Sequence, residues 1–161
     1  MLVSNSKATG GLLMGCLLTA ACGVRADEPV AGYVNGTQEV LQAIPLANGN
    51  VVRRLRFSVT VVTDDPSNPI HLASQDCFAT YVFTANDEPV GGRGSCDGIS
   101  ARGDVWWIAL ELRPDGTVTW ENLGGVGQLA GLRGSGTTTN LAEFDDGKSI
   151  ARFEGTYSIG R

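Results

Sequence analysis

The sequence is poor in histidine and has no broad stretch of positive charge. His71 is the only histidine, and the only cluster of basic residues is Arg53, Arg54 and Arg56. A single histidine excludes a metal centre built from several histidines of this chain, and it argues against a Ser–His–Asp triad. An acidic chain without a basic stripe is not expected to bind nucleic acid. We therefore predict no metal, no cofactor and no nucleic-acid partner, and we expect His71 to be a solvated loop residue.

Helical periodicity is also missing after the first 26 residues. Short β-type runs follow one another instead, separated by turn-forming segments such as "ANGN", "DDPSNP" and "RPDG". This pattern is typical of all-β barrels and sandwiches. We predict a single eight-stranded antiparallel β-barrel, with a two-sheet β-sandwich as the alternative. The predicted strands are Gly36–Leu46, Val51–Thr63, Asp76–Thr84, Gly91–Ser100, Val105–Arg113, Thr117–Asn122, Leu132–Asn140 and Ser149–Ile159.

The one long apolar run lies at the start of the chain, in residues 1–26. Lys7 precedes "GLLMGCLLTAACGV", and the small-residue segment "VRA" comes just before Asp27. This is the pattern of a secretory signal peptide. We predict cleavage after Ala26, which leaves residues 27–161 as one barrel domain in the periplasm or the extracellular space.

Cleavage changes the charge of the protein. Loss of Lys7 and Arg25 leaves 10 of the 12 basic residues against 17 acidic ones, a net charge of −7. The alternative is that residues 1–22 contain a lipoprotein signal, with a lipid anchor attached at Cys22. That alternative is less favoured, because Thr19 stands where a lipoprotein signal usually has leucine.

Two cysteines remain after cleavage, Cys77 and Cys96, and an even number in an exported chain indicates a disulfide. If Asn86 and Asp87 form a two-residue turn, paired residue numbers add up to 173, and Cys77 then lies opposite Cys96. Directly opposed residues are close enough to be bridged. The same register places Tyr81 opposite Gly92, and Pro89 opposite Thr84.

The strand register of a second hairpin, "ALELRPDGTVTWEN", can be predicted in the same way. A type I turn with Gly116 left-handed pairs Leu112 with Val118 and Leu110 with Trp120. Apolar residues of both strands then share one face. Glu111 and Glu121 fall on the outer face, where they are expected to be surface charges and not a catalytic pair.

The inward positions of these strands hold the residues expected to fill or line the interior. They are Arg53, Phe57, Tyr81, Phe83, Trp106, Trp120, Asn122, Phe153 and Tyr157. Two interpretations stay open: the side chains fill the barrel completely, or they line a pocket for a small apolar or aromatic molecule. Trp107 points outward and could contribute to an interface in a homo-oligomer.

The glycine-rich stretch "GGVGQLAGLRGSG" invites comparison with phosphate-binding loops. Its context argues against one, since no crossover helix follows and the lysine of a P-loop is missing. From Trp106 to Ile159 the chain instead resembles the allene-oxide-cyclase-like and dirigent-like barrels. The resemblance rests on a glycine loop, a glycine-containing strand and a closing Gly-x-Tyr element: Gly125, Gly127, Gly131, Gly134, Gly136, Gly155 and Tyr157.

The resemblance implies an eight-stranded barrel with an apolar interior. Cyclases of this group shape an apolar substrate for rearrangement, and dirigent relatives orient aromatic radicals without supplying the oxidation. A cyclase, isomerase or lyase is therefore one expectation, and a non-catalytic dirigent-type or ligand-binding protein is another. A packed structural protein of the cell envelope is the third. The resemblance does not reach the N-terminal half of the chain, so no catalytic residue is transferred.

Overall fold

The computed structural model of the protein describes residues 27–160. The predicted cleavage after Ala26 and the alternative lipid site at Cys22 lie outside this range. Within it, no helix is long and apolar enough to cross a membrane. Eight antiparallel strands pair in chain order, and the last pairs with the first. They are β1 (Glu28–Pro45), β2 (Val51–Thr63), β3 (Ala73–Phe83), β4 (Pro89–Ile99), β5 (Val105–Leu112), β6 (Val118–Gly125), β7 (Leu132–Glu143) and β8 (Lys148–Ile159).

The predicted all-β barrel is confirmed, and the sandwich alternative is wrong because the sheet closes on itself. Seven strands begin and end within three residues of their predicted bounds. The exception is β1, which begins at Glu28 and not at Gly36. Apolar and polar residues alternate poorly in the first part of β1, because the inward position at residue 32 is a glycine. A side chain there would meet Cε1 of Phe153 at 2.9 Å.

The β3–β4 hairpin has the predicted disulfide register but a different turn. Cys77 pairs with Cys96 and Tyr81 with Gly92. The turn contains three residues, because Thr84 N–H donates to the carbonyl of Glu88 and Asp87 takes a left-handed φ of 64°. Pro89 therefore pairs with Phe83, and the prediction that it faces Thr84 is wrong. A bulge in β4 then restores the register before Gly91 is reached.

The β5–β6 hairpin follows its predicted register. Leu110 pairs with Trp120 and Leu112 with Val118, while Gly116 has a left-handed φ of 85°. The pairing shifts by one residue beyond Ile108, so that the two tryptophans of β5 pair with glycines of β6. This shift leaves Leu123 exposed on the outside of the barrel.

The two ends of the barrel differ. One end, here called the cap end, carries the chain termini of the barrel, the loop of residues 64–72 and the connections 100–104 and 126–131. The last of these contains one turn of 3₁₀ helix, Gly127–Leu129. The opposite end, called the base, carries the four short turns of residues 46–50, 84–88, 113–117 and 144–147. We call the loop of residues 64–72 the cap loop.

The buried side chains form two clusters, one above the other along the barrel. The cluster toward the cap end contains the disulfide, and its members are Val30, Val61, Ala73, Cys77, Cys96, Trp106, Ile108, Leu129, Leu132 and Phe153. The cluster toward the base contains Leu55, Ala79, Tyr81 and Leu112. Phe57 packs against both, so it lies between them.

Candidate functional site

The base half of the barrel is filled by side chains. Tyr81 is only 4% exposed and lies over Gly92, where an added Cβ would meet its Cδ1 at 2.8 Å. Phe57 packs against Tyr81 with ring centroids 6.4 Å apart. Burial raises the pKa of Tyr81 to about 12, because the phenolate would lose its hydration. Tyr81 is therefore a neutral core residue at physiological pH.

Arg53 and Phe83 close the base of the barrel. The Arg53 guanidinium lies 4.8 Å from the centre of the Phe83 ring, and its Nη2 is 2.5 Å from Oδ1 of Asp87. The β3–β4 turn supplies Asp87, so this ion pair joins the turn to the inner face of β2. Of the nine predicted interior residues, the four on β2 and β3 lie outside the cavity lining described below. Arg53, Tyr81 and Phe83 pack in the base half, and Phe57 lies between the two clusters.

The cap half contains a cavity of about 80 Å³. The other five predicted interior residues all line it, and they come from β5, β6 and β8: Trp106, Trp120, Asn122, Phe153 and Tyr157. Sequence reasoning missed the wall contributed by the cap loop, namely Asn68, Pro69 and Ile70. It also missed Leu129, which enters from the 3₁₀ turn and is fully buried.

The disulfide lies on the inner face of the barrel between β3 and β4. The Cα atoms of Cys77 and Cys96 are 4.0 Å apart, and both residues are 4% exposed. The row of paired residues continues from Cys96 through Ile108 to Asn122. The predicted bond is therefore confirmed, and it lies in the same row of the barrel wall as residues that line the cavity.

Glycines make room for the two cavity tryptophans. Trp120 lies against Gly136 and Gly155, and an added Cβ at Gly155 would be 2.7 Å from its Cζ2. The Trp120 indole N–H donates to the carbonyl of Thr137 at 3.3 Å. Trp106 packs in the same way over Gly98. Because the rings lie against neighbouring strands that lack side chains there, they leave space at the centre of the barrel.

The cap loop is attached to the barrel at both ends. At its start, Asp64 accepts two hydrogen bonds from Arg152, and the Arg152 guanidinium lies 4.8 Å from the centre of the Tyr33 ring. The hydrogen bond from Arg152 lowers the pKa of the Asp64 carboxyl. At its end, Leu72 takes a left-handed φ of 57°, which is uncommon for a leucine.

His71 also belongs to the cap loop, and its surroundings differ from the prediction. Its Nδ1 lies 2.8 Å from Oγ1 of Thr63, a buried residue at the end of β2. Thr63 Oγ1 donates in turn to the carbonyl of Asp65. His71 is half-buried, so the expectation of a solvated residue is wrong. Its contact with Thr63 connects the two ends of the loop.

The cavity wall is mainly apolar but includes several polar groups. The Tyr157 hydroxyl donates to Oε2 of Glu28 at 3.2 Å. The amide of Asn122, a residue 8% exposed, and the indole nitrogen of Trp106, a residue 1% exposed, form no hydrogen bond with any residue from 27 to 160. Every polar side-chain atom sealed within this part of the chain has a partner. The polar atoms of Asn122 and Trp106 are therefore not sealed in the core, and both residues line the cavity.

The outer face holds the remaining residues considered above. Glu111 pairs with Thr119 and Glu121 with Ala109, and both glutamates are exposed as predicted. Trp107 is 41% exposed on the same face. No group of three or more metal-ligating side chains gathers anywhere between residues 27 and 160.

Solved structures of dirigent proteins share this architecture. The pterocarpan synthase dirigent protein GePTS1 matches with a TM-score of 0.53 and 12% sequence identity, over 84% of this chain and 91% of that chain. The pterocarpan synthase dirigent protein PsPTS1 matches with a TM-score of 0.56 and 10% identity, over 86% and 99% of the two chains. No protein-family model and no curated protein sequence matches the chain. The chain therefore has the dirigent-like, allene-oxide-cyclase-like barrel fold that its glycine-rich C-terminal part resembles.

Proposed function

We propose that the protein binds a small apolar or aromatic molecule inside the cap half of its barrel. The observation that carries this proposal is the contrast between the two halves. Tyr81 and its neighbours fill the base, whereas the cap half leaves a cavity among Trp106, Trp120 and Phe153. Ligand sites are typically apolar cavities with a few polar groups, and this cavity has that composition.

The size of the cavity limits the ligand. An engineered cavity of about 150 Å³ is known to hold benzene, and this one has about 80 Å³. A molecule with a ring therefore requires the cap loop to move outward or the side chains to shift. Asn68, Pro69 and Ile70 are the parts of the cap loop that such a movement would displace.

The proposal is limited to binding, because the comparisons support the fold alone. The two solved neighbours are named as pterocarpan synthase dirigent proteins, but 10% and 12% identity supports a shared fold and not a shared reaction. We place the protein outside the cytoplasm, because a disulfide is stable in an oxidising compartment.

One contact favours a second candidate, a cyclase or isomerase that shapes its substrate. Tyr157 lines the cavity and its hydroxyl donates to the carboxylate of Glu28, so a hydroxyl at the cavity wall contacts a carboxylate that can accept its proton. Turnover lost in Tyr157→Phe while ligand affinity is kept would support catalysis. Unchanged turnover would leave Tyr157 with a structural role.

The first experiment is native mass spectrometry on protein purified gently from its own host. An organic extract of the same sample identifies any bound molecule. A stoichiometric small molecule supports interior binding, whereas an empty protein favours the packed structural barrel. A denatured mass equal to residues 27–161 less two hydrogens would test the predicted cleavage after Ala26 together with the disulfide.

A pair of variants locates the site of binding. Val34 lines the cavity, so Val34→Phe fills it and should abolish binding. Val82 lies on a position of β3 that alternates with the buried Tyr81, so Val82→Phe adds the same bulk outside the barrel. Equal binding by both variants would contradict an interior site.

A further inference from the structure

Two polar side-chain groups that line the cavity have no hydrogen-bond partner among residues 27–160. They are the side-chain amide of Asn122 and the indole N–H of Trp106. Buried polar groups in native proteins are nearly always hydrogen-bonded, because a group without a partner destabilises the fold. No sealed polar atom in this part of the chain lacks a partner, so the Asn122 and Trp106 groups are open to the cavity and can bind a molecule that enters it.

The two groups lie on adjacent strands. Asn122 on β6 pairs with Ile108 on β5, and Trp106 precedes Ile108 by two residues on the same face. Diagonal neighbours of this kind are about 7–8 Å apart at Cα. Their side chains can therefore approach the same ligand atom or two adjacent atoms.

The pairing also leaves space beside Asn122. Its partner on β7 is Gly134, which has no side chain, and Gly134 pairs in turn with Tyr157 on β8. Asn122 and Tyr157 are thus two strands apart in one row of the wall, with a gap between them. Because the Tyr157 hydroxyl proton is donated to Glu28, it is not available to a ligand in that gap.

We propose that Asn122 and Trp106 form a polar subsite that binds an oxygen atom of an uncharged ligand and thereby determines its specificity. This inference rests on the proposed interior binding. The indole offers one donor, and the amide offers two donors and one acceptor. The subsite is rich in donors and therefore matches an oxygen lone pair. A charged group would be disfavoured among the surrounding apolar side chains.

The ligand is therefore an apolar molecule with one carbonyl or hydroxyl oxygen at this end. The two oxygen types differ in one respect. A hydroxyl can also donate to the Asn122 carbonyl oxygen, whereas a carbonyl only accepts. The two are distinguished by using both as probes.

The test measures the dissociation constants of three six-membered ring compounds, cyclohexanone, cyclohexanol and methylcyclohexane, by titration monitored with NMR. Asn122→Leu replaces the amide with an apolar side chain of similar size. We expect it to weaken binding of the ketone or the alcohol about tenfold, as for loss of one buried hydrogen bond. Methylcyclohexane should bind the variant at least as tightly as the wild type. Loss with the ketone alone would assign a carbonyl, and loss with the alcohol alone a hydroxyl.

Two further variants provide the controls. Trp106→Phe removes the indole N–H and keeps an aromatic ring, so it should weaken the oxygen-containing probes selectively. Ile108→Val changes the same wall without changing its polarity, so it should affect all three probes alike. Equal effects of Asn122→Leu on all three probes would overturn the subsite and leave interior binding intact. Failure of the wild type to bind any of them would overturn both proposals.

The melting temperature of the empty protein gives an independent test. Because the Asn122 amide has no partner within residues 27–160, Asn122→Leu should raise the melting temperature by a few degrees. A lower melting temperature would show that the fold needs the amide, and would contradict its assignment to ligand binding.

Discussion

Arg152 on β8 donates two parallel hydrogen bonds to Asp64, of 2.7 and 2.6 Å, and so attaches the start of the cap loop to the barrel wall. The cap loop covers the cavity, so this pair should control how readily the loop opens. We predict that Arg152→Gln increases the rate of ligand release severalfold. The melting temperature should change by no more than about 2 °C, since exposed ion pairs contribute little to stability.

The matched control for this prediction is Arg56→Gln. Arg56 forms a similar ion pair with Asp76, but on the outer face of β2 and β3, away from the cap loop. Stopped-flow displacement of a bound probe compares the two variants. Equal release rates in the two variants would contradict a gating role for the cap loop.

The same ion pair predicts sensitivity to acid. The hydrogen bond from Arg152 lowers the pKa of Asp64 below its ordinary value of 3.8. A carboxyl with a lowered folded-state pKa stabilises the fold above its unfolded pKa and loses this contribution as the pH falls through the folded value. Ligand release should therefore accelerate below about pH 3.8 in the wild type and change less in Asp64→Asn. Parallel pH profiles for both proteins would show that another group is responsible.

The raised pKa of Tyr81 predicts that the protein loses stability at alkaline pH. This pKa is raised from 10.0 to about 12 by burial, so between these values the unfolded chain loses a proton that the folded protein keeps. Stability should fall with rising pH over this interval, by about 2–3 kcal/mol in total. Tyr81→Phe should flatten the profile in urea unfolding measured from pH 8 to 12. Phe57→Leu serves as the control, since it loosens the same core beside Tyr81 without removing a hydroxyl, and it should leave the slope unchanged.

The disulfide should contribute substantially to stability. It closes a loop between residues 19 positions apart, for which chain entropy predicts about 3 kcal/mol. We expect the double variant Cys77→Ala, Cys96→Ala to lose roughly that amount in urea unfolding. Both sulfurs lie in the core, so a reductant should act slowly on the native protein and quickly once it is unfolded. Two free thiols in the unfolded, unreduced protein would contradict the bond.

Contacts between residues of adjacent strands could be predicted from the sequence, whereas contacts between residues far apart in the sequence could not. The Leu110–Trp120 register was predictable, because a turn type fixes the pairing of adjacent strands and apolar residues then share one face. Trp120 and Asn122 could be assigned to the interior for the same reason. The contact between Asp64 and Arg152 joins residues 88 positions apart, and no local pattern indicates it. The division into a filled base and a hollow cap half depends on many such contacts.

Glycine–tryptophan packing gives the last prediction. A Cβ at Gly155 would lie 2.7 Å from Trp120 Cζ2 and would also collide with the carbonyl oxygen of Ser135. Gly155→Ala should therefore displace Trp120 from the wall into the cavity, lower stability by about 2 kcal/mol and weaken ligand binding. Gly160→Ala is the control, since its nearest contact would be 3.7 Å from the new Cβ. Denaturant unfolding and tryptophan emission report the two effects. An unchanged emission spectrum in Gly155→Ala would mean that the wall yields and Trp120 keeps its place.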